Sequence, residues 1–203
     1  MGSTLHQGQN TADERDGLVR ELHHRVKNNL QIIVSLMNVQ KRMLPPDRRG
    51  EIRFLEEHVQ SMAAAYRVVY ASGELTKVSI DELIREVVAG LVEVAGSRAH
   101  HVETARCEAH MMINLDQAIT LGLYLAVVLP PIFDAAAAAG GVVALETHPK
   151  PNHVCLAVIA PVAIDPLFDV LRERLLDGHL KQLGAERLLG VVPSELHIDL
   201  PIS

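Results

Sequence analysis

The segment LHHRVKNNLQIIVSL places two adjacent histidines, His23 and His24, before basic and amide residues and then an apolar run. At about 100° per residue of an α-helix, four polar side chains fall within roughly 60° of His24, away from the apolar residues. These side chains are Lys27, Asn28, Gln31 and Ser35. The helical pattern therefore predicts that His24 faces solvent within a polar stripe, whereas His23 lies nearer the apolar face.

A histidine in this setting could carry a phosphoryl group. A surface imidazole is mostly neutral at pH 7, and its ring nitrogen can attack phosphorus. Lys27 and Asn28, about one helical turn away, could offer a positive charge and hydrogen-bond donors to the phosphoryl oxygens. The same pattern also fits a histidine that is only part of a solvated helix surface, so the pattern alone leaves both interpretations open.

Composition limits the classes of partner. The 203 residues are enough for one large or two small domains, and 48% of them are hydrophobic, which predicts a folded core. The net charge is -6, only 3% of the residues are aromatic, and Trp is absent. Nucleic-acid binding needs a basic surface and often uses stacking aromatic side chains, so we expect no nucleic-acid partner.

The sequence shows no pattern for export or membrane insertion. The polar N-terminus lacks a basic segment followed by an apolar one. The longest apolar run is interrupted by Pro130, Pro131 and Asp134, and a membrane span needs about 20 apolar residues, so we expect a buried helix. Cys107 and Cys155 are far apart and fit buried thiols in a reducing compartment. These features predict a cytoplasmic protein without a membrane partner.

Five further histidines do not form a metal-binding pattern. They are His100, His101, His110, His148 and His153. Zinc sites pair their ligands at close and defined spacing, and no Cys or carboxylate accompanies these histidines in that way. We therefore expect that the chain binds no metal.

Residues 14–72 have the pattern of two helices, preceded by a flexible segment over residues 1–13. The first helix runs to Met43 and is stopped by LPPDRRG, because proline cannot continue a helix. A second helix starts near Glu51, with apolar residues at alternating steps of three and four, which is a heptad seam. The seam residues of the second helix are Ile52, Leu55, Val59, Met62, Tyr66 and Val69.

The first helix carries the same repeat and is predicted to have one apolar face. Its seam residues are Val19, Val26 and Ile33 at position a and Leu22, Leu36 and Met43 at position d, widened at position e by Leu30 and Met37. Two helices alone leave much of such a face in water. The usual solution is a second copy, so the sequence predicts a homodimer with a four-helix bundle around a two-fold axis.

From Lys77 to Ser203, helices and short strands alternate in a second domain. We predict helices over VSIDELIREVVAGLVEVAG, DQAITLGLYLAVVL and PLFDVLRERLLDGHLKQLG. We predict three strand pairs, namely HVETARCE with HMMINL, GVVALETH with HVCLAVIA, and AERLLGVVP with ELHIDLPI. This order is typical of an α+β sandwich, in which helices cover one face of a single mixed sheet.

The segment ELHHRVKNNLQIIVSLMNVQ resembles the dimerisation and phosphoacceptor helix of bacterial sensor histidine kinases, in the HWE-related branch whose motif reads H-R-x-x-N. The resemblance implies that His24, the histidine before Arg25, is the phosphoacceptor. It also implies that Asn28 is the asparagine of the motif and that Arg25, Lys27 and Gln31 support the site. For the remainder of the chain it implies a dimeric four-helix bundle followed by an ATP-binding domain with an α+β sandwich fold.

The second domain departs from the nucleotide-binding pattern of this family. The first box of the family lies on a helix that reads like LGLIVNELVTNALKHA, whose asparagines and glutamate serve Mg²⁺ and the phosphates. Here the helix reads LGLYLAVVLPPIFDAA, which places Ala126, Val127 and Val128 around the first polar columns and Pro131 at the later asparagine. Apolar side chains cannot coordinate Mg²⁺, which takes oxygen ligands, and the two prolines are expected to break the helix.

The other two boxes are also changed. Where the family has D-x-G-x-G, this chain has AVIAPVAIDP, without glycine and with Asp165 late and followed by Pro166. The glycine-rich third box is replaced by DPLFDVLRERLL, which lacks the backbone freedom that phosphate-binding amides need. We therefore expect a degenerate ATP-binding domain that binds no nucleotide cofactor.

The resemblance and the departures together favour a histidine phosphotransferase, similar to the dimeric phosphotransferases built on degenerate kinase scaffolds. His24 would take a phosphoryl group from an aspartate of one receiver domain and pass it to the aspartate of another, with Mg²⁺ held by the receiver. The expected partners are response-regulator receiver domains, with an upstream hybrid histidine kinase as a further candidate. The alternatives are a non-catalytic pseudokinase adaptor and an active ATP-dependent kinase, so the sequence leaves open whether the chain is an enzyme.

Overall fold

Two long antiparallel helices begin the chain. The computed structural model describes residues 4–72, 77–96, 101–188 and 192–202, and gives only the backbone at 4–16, 19, 20, 23, 51 and 70–72. Helix α1 spans Thr4–Met43 and helix α2 spans Arg49–Ser72. A single 3-10 turn, Pro46–Arg48, connects them, as expected where consecutive prolines stop a helix.

The first helix begins earlier than predicted. Residues 1–13 are predicted to be flexible, but α1 is helical from Thr4, and residues 1–3 lie outside the described part of the chain. No proline precedes Pro45, so nothing in this segment removes a main-chain hydrogen bond from the helix.

The apolar face of helix α1 is wider than the side that packs against α2. Leu30 is buried and Met37 is half-buried, and both lie on the side that packs against α2. A second set of apolar side chains, which we call the outer stripe, is exposed and falls roughly 60–180° around the helix from His24. The outer stripe consists of Leu18, Leu22, Ile32, Ile33, Leu36, Val39 and Met43. One partner helix covers only one flank of α1, so most of the predicted seam remains open in the single chain.

A five-stranded mixed sheet forms the second domain, as predicted. The strands are β2 (Val102–Cys107), β4 (Val143–Lys150), β5 (His153–Ile159), β6 (Glu186–Leu188) and β7 (Glu195–Pro201). Their order is β2-β4-β5-β7-β6, with β2 parallel to β4 and the other pairs antiparallel. The predicted β4–β5 and β6–β7 hairpins are therefore confirmed.

The predicted pairing of β2 with the next strand is wrong. Strand β3 (Met112–Asn114) pairs instead with β1 (Lys77–Ser79) in a separate two-stranded sheet. The buried carboxylate of Asp81 accepts hydrogen bonds from the main-chain N–H groups of Ala109 and His110, at 3.2 and 2.7 Å. His110 has a φ of 53°, so the chain turns away from the main sheet between β2 and β3.

Three helices complete the second domain, namely α3 (Ile80–Ala95), α4 (Leu115–Ala139) and α5 (Val170–Leu183). Helix α4 lies at the centre of the core, which confirms the predicted buried helix. It is the one helix in the described part of the chain with the length and composition of a membrane span, and 72% of its apolar window is buried.

The expected helix break at Pro130 and Pro131 does not occur, because α4 continues through both prolines to Ala139. A proline in a helix interior costs about 3 kcal/mol. The next two side chains, Ile132 and Phe133, are fully buried, and such burial contributes about 1.5–3 kcal/mol for each side chain. Packing in the core therefore holds the helix together where its local sequence opposes it.

The hairpin and the second domain share one hydrophobic core. Ala64, Ala65, Val68 and Val69 of α2 belong to the same buried cluster as the apolar residues of α3, α4 and the sheet. The helices approach closely at Gly122 of α4, where an added Cβ would lie 3.1 Å from the main-chain oxygen of Ser61. Small residues on both sides of this contact allow α2 to lie directly on α4.

Candidate functional site

Helix α1 carries His24 on its exposed side, as predicted from the sequence. Asn28 lies one turn along, and its Nδ2 is 3.2 Å from Nδ1 of the His24 ring. This distance is a hydrogen bond between residues four positions apart, the spacing at which helical side chains meet. The structure therefore brings together the two residues of the H-R-x-x-N motif that are predicted to do chemistry.

The hydrogen bond with Asn28 decides which ring nitrogen of His24 carries the proton. When Nδ2 of Asn28 donates, Nδ1 of His24 accepts, and the proton of the neutral ring lies on Nε2. When the amide turns over, its oxygen accepts from Nδ1–H, and Nε2 then has the lone pair. In the first arrangement the lone pair on Nδ1 is held by the amide, whereas in the second the lone pair on Nε2 is free, so a rotation of the Asn28 amide would expose a nucleophilic nitrogen.

The predicted supporting residues have different surroundings. Arg25 pairs with Glu21, one turn back along α1, with Nε 3.1 Å from Oε1, and both side chains are exposed. Lys27 is half-buried, and by helical geometry it lies about 60° from His24. Lys27 and Asn28 therefore flank His24, whereas the guanidinium group of Arg25 is held by Glu21. The side chain of His23 lies outside the described part of the chain.

A shallow groove continues from the His24 face towards the hairpin tip. Gln31 is exposed, and its carbonyl oxygen accepts a hydrogen bond from the hydroxyl of Ser35 at 2.9 Å. The groove is lined by Asn28, Gln31, Ile32, Ser35, Leu36 and Val39. Its polar edge is the stripe predicted around His24, and its apolar edge is part of the outer stripe.

The positions that would hold Mg²⁺ and phosphates in the family pattern lie in the core. Ala126, Val127 and Val128 are fully buried in α4, and Pro131 is half-buried on the same helix. None of these side chains has an oxygen atom, and Mg²⁺ takes oxygen ligands. Across the described residues, no group of three or more His, Cys, Asp and Glu side chains could hold a metal ion.

Asp165, the acidic residue nearest the second box, is engaged by its own domain. It forms an ion pair with Arg187 of β6, and this arginine also lies 3.6 Å from a carboxylate oxygen of Glu173. The guanidinium group of Arg187 is 5.9 Å from the ring centre of Phe168. Asp165 is thus part of a surface network between β6 and the start of α5.

The loop after β5 is held in place by main-chain contacts. The N–H groups of Ala160 and Ile164 donate to the carbonyl oxygens of Ser194 and Pro193, both at 2.9 Å. Gly141 approaches the ring of Pro161 so closely that an added Cβ would lie 2.4 Å from it. This loop, which lies where the family resemblance predicts a glycine-containing second box, therefore packs against the domain itself.

Sequence reasoning missed a second histidine-containing cluster, where α2 meets α5. The rings of Phe54 and His58 of α2 lie with their centres 4.3 Å apart and are tilted by 46°, and the guanidinium carbon of Arg172 of α5 lies 5.7 Å from the Phe54 ring centre. His179 lies two turns further along α5. The sequence could have indicated only the α2 part of this cluster, because Phe54 and His58 are four positions apart on a predicted helix.

The remaining candidate residues from the sequence are two buried cysteines and five scattered histidines. Cys107 and Cys155 are free and buried, as predicted, and burial raises the pKa of Cys107 to about 12. His101, His110, His148 and His153 are spread over strands and loops, and His100 lies outside the described residues.

Comparison with known proteins relates these features to one family. A histidine kinase family model matches residues 21–95, which include His24, α2 and α3. Over 134 residues the chain is 29% identical to the sensor histidine kinase PdtaS of Mycobacterium tuberculosis, in an alignment that covers 63% of this chain. The aligned part is 26% of that protein, so the chain spans about a quarter of the curated relatives it matches.

Solved structures agree on the fold. The histidine kinase domain of the blue-light activated histidine kinase EL346 from Erythrobacter litoralis has a TM-score of 0.60 at 21% identity, covering 94% of this chain and 96% of that one. A longer structure of the same kinase also has a TM-score of 0.60, at 20% identity, and the match covers 92% of this chain and 59% of that one. The chain thus has the fold of a histidine kinase domain.

Proposed function

We propose that this histidine kinase-family domain is a histidine phosphotransferase, in which His24 carries a phosphoryl group between aspartates of receiver domains without using ATP. The observation that carries the proposal is a contrast between two sites. The exposed pair of His24 and Asn28 is kept with its hydrogen bond, whereas the positions for Mg²⁺ and nucleotide phosphates are buried and apolar.

The chemistry consists of two in-line transfers. A ring nitrogen of His24 attacks the phosphorus of an aspartyl phosphate on the first receiver, and the bond from phosphorus to the carboxylate oxygen breaks as the carboxylate leaves. In the second transfer, the aspartate of another receiver attacks the phosphorus, and the bond to the imidazole breaks. The acidic pocket of the receiver supplies Mg²⁺ in both transfers, so this chain needs to bind no metal.

The His24 face supports docking of a receiver. Lys27 and Asn28 lie beside His24, where a positive charge and an amide donor would contact the transferred phosphoryl oxygens. The groove from Asn28 to Val39 continues this face with mixed polar and apolar lining. Receiver domains of response regulators are therefore the proposed partners, an upstream hybrid kinase is a candidate donor, and the cytoplasm is the proposed location.

The packing of α2 against the second domain favours a transferase over an ATP-dependent kinase. A kinase must bring a bound nucleotide to its histidine. Here α2 shares its core with α3 and α4, and the contact of Gly122 with Ser61 leaves no space between the helices. Together with the loss of metal-binding side chains, this packing argues against an ATP-dependent kinase.

The outer stripe supports a homodimer. Seven large apolar side chains of α1 and Leu55 of α2 are exposed in the single chain. A contiguous apolar surface of this kind marks a protein interface. A second copy related by a two-fold axis would cover it and complete a four-helix bundle, with the two His24 side chains on the outside.

A pseudokinase adaptor is the second candidate. It would use the same bundle and the same receiver-binding face without transferring a phosphoryl group. The hydrogen-bonded pair of His24 and Asn28 favours the transferase, because an adaptor needs the apolar stripe but not an oriented imidazole.

Radioactive transfer distinguishes the three functions. The full chain is incubated with a phosphorylated receiver domain, and separately with labelled ATP and Mg²⁺. We expect acid-labile label from the receiver on the wild-type chain and none on His24→Gln, with no label from ATP. The exposed His101→Gln variant is the matched control and should behave like wild type. Label from ATP would support a kinase, and no label from either donor would support the adaptor.

A further inference from the structure

Arg172 of α5 lies over the ring of Phe54 of α2, and each of these two helices carries a histidine with a buried Nε2, His58 and His179. His58 of α2 donates from Nδ1 to the carbonyl oxygen of Phe54 at 2.7 Å, which places the lone pair of the neutral ring on Nε2. His179 of α5 is close enough for its charge state to depend on that of His58. We refer to His58, His179, Phe54 and Arg172 as the imidazole contact.

The imidazole contact contains polar atoms that the protein leaves unsatisfied. Nε2 of His58, Nε2 of His179 and Nε of Arg172 are all buried, and the described residues offer none of them a hydrogen-bond partner. Buried polar groups without partners usually cost about 1–3 kcal/mol each. Such a contact is therefore less stable than the apolar packing around it.

The charges around the imidazole contact oppose a further positive charge. The positive charge of Arg172 lowers the pKa of His58. Nη1 of Arg172 is 3.4 Å from the carboxylate of Asp169, the residue that caps the N-terminus of α5. The neighbouring carboxylates of α2 and α4, Glu57 and Asp134, lie 3.7 and 3.9 Å from Arg53. Glu56 of α2 is also buried, and its carboxylate lies 2.6 Å from Nζ of Lys41, whereas Asp177 of α5 is exposed to solvent.

The third acidic side chain near the start of α5, Glu173, lies 3.6 Å from Arg187. A proton on His58 would thus be opposed by the charge of Arg172, and a proton on His179 by a charge on His58. The nearby carboxylates of Glu56, Glu57, Asp134, Asp169 and Glu173 already pair with basic side chains. Two like charges in a partly buried contact repel each other strongly, because water screens them less than at the surface.

We propose that the imidazole contact is a proton-sensitive latch, which joins α5 to α2 when both histidines are neutral and opens when either is protonated. The rest of the interface stays closed, because α2 is also packed on α3 and α4 through the shared core. Leu176, Leu180 and Leu183 of α5 are buried in the second domain and keep that helix in place. Opening therefore loosens the first two turns of α5 and uncovers Phe54, without unfolding either domain.

The direction of the pH effect follows from burial. Burial is the largest influence on both rings and lowers the pKa of His58 and of His179 below the ordinary 6.5, and Arg172 lowers that of His58 further, against the hydrogen bond to Phe54. Because the open form binds protons more readily, the latch is fully closed above pH 6.5 and is lost as the pH falls from 6.5 through the lower pKa of the closed form. This inference rests on packing and not on the proposed role of His24.

Amide hydrogen exchange of the full chain tests the latch. Exchange is measured at pH 7.5 and pH 5.5 and corrected for the intrinsic pH dependence, with peptides from α2, α5 and the β4–β5 hairpin. We expect the opening constant of peptides around Arg172 to rise at pH 5.5, by up to about tenfold for each titrating histidine, while β4–β5 peptides stay unchanged.

The variant His58→Asn/His179→Gln removes the titrating rings, and the Asn amide can still donate to the Phe54 carbonyl. Its protection around the contact should be the same at both pH values, whereas His101→Gln should behave like wild type. An NMR titration of the wild-type ring protons is independent of any effect of the variants on folding. The proposal is wrong if the double variant loses protection on acidification as wild type does, or if both rings titrate like exposed histidines.

Discussion

At the scale of single residues, the site depends on a side-chain pair within one helix. His24 and Asn28 are four positions apart, and the hydrogen bond between them follows directly from helical spacing. The pair needs no contribution from the second domain to form. The proposed phosphoacceptor therefore does not depend on the buried, apolar positions of α4.

Replacing Asn28 with Ala should slow phosphoryl transfer without unfolding α1. The substitution removes the hydrogen bond that orients the ring of His24, which is worth about 1 kcal/mol, so we expect a several-fold slower single-turnover transfer from a phosphorylated receiver. Helix content, measured by circular dichroism, should be kept, because Ala favours helices more than Asn.

Ser35→Ala is the matched control for Asn28→Ala. It removes a hydrogen bond to the main chain on the same face of α1, without touching His24. An equal loss of rate in both variants would show that the face as a whole matters for docking and that Asn28 does not orient the ring.

At the scale of elements, the contact of α2 with α4 fixes the second domain on the hairpin. It depends on a position without a side chain, Gly122, which faces the main-chain oxygen of Ser61. A main-chain atom of a packed helix cannot move aside as a flexible side chain can. The contact therefore restricts which residues α4 can carry, although Gly122 lies within a helix where glycine is unfavourable.

Gly122→Ala should destabilise the protein and Gly178→Ala should stabilise it. The new methyl group at Gly122 would lie 3.1 Å from the Ser61 oxygen, and such overpacking costs about 1–3 kcal/mol. At Gly178 of α5 nothing lies within 4 Å of the added Cβ, so the helix preference of Ala should gain about 0.5–1 kcal/mol.

Chemical denaturation of both glycine variants measures these free energies of unfolding. The two substitutions are chemically identical and both lie within helices, so their difference isolates the close approach of α2 to α4. Equal effects of the two substitutions would show that α2 can move away from α4 at little cost.

At the scale of the whole molecule, the outer stripe connects the fold to assembly. Its residues lie on α1 between the face that packs against α2 and the face that carries His24. One surface of α1 is thus used within the chain, one is open for a second copy, and one is left for a receiver. This division would allow a dimer to bind receivers on its outside.

Leu36→Glu should convert the proposed dimer to a monomer with the same fold. Leu36 is 64% exposed in the single chain, so a carboxylate there costs the monomer little but would be buried in the bundle. Analytical ultracentrifugation should give a dimer for wild type and a monomer for the variant, with unchanged circular dichroism. Gln31→Glu adds the same charge on the His24 face and should remain dimeric. A monomeric wild type would contradict the four-helix bundle.

Much of the fold could be predicted because it follows from local patterns. The LPPDRRG sequence ends α1, the PKPN segment marks the turn between β4 and β5, and a helical spacing brings His24 to Asn28. Each of these features depends on residues that are near one another in the chain. The candidate site could be predicted for the same reason, since all of its side chains are on one helix.

The tertiary structure decided what depends on residues far apart in the sequence. Asp81 directs β3 away from β2, the core carries α4 through two prolines, and α2 leaves half of the apolar surface of α1 uncovered. The contact of His58 with Arg172 and His179 joins positions more than 100 residues apart. The sequence by itself determined where the proposed phosphoacceptor lies beside Asn28, because a helix brings neighbours in the chain together. Only packing determined which surfaces remain open and which histidines are buried, because burial depends on all the elements at once.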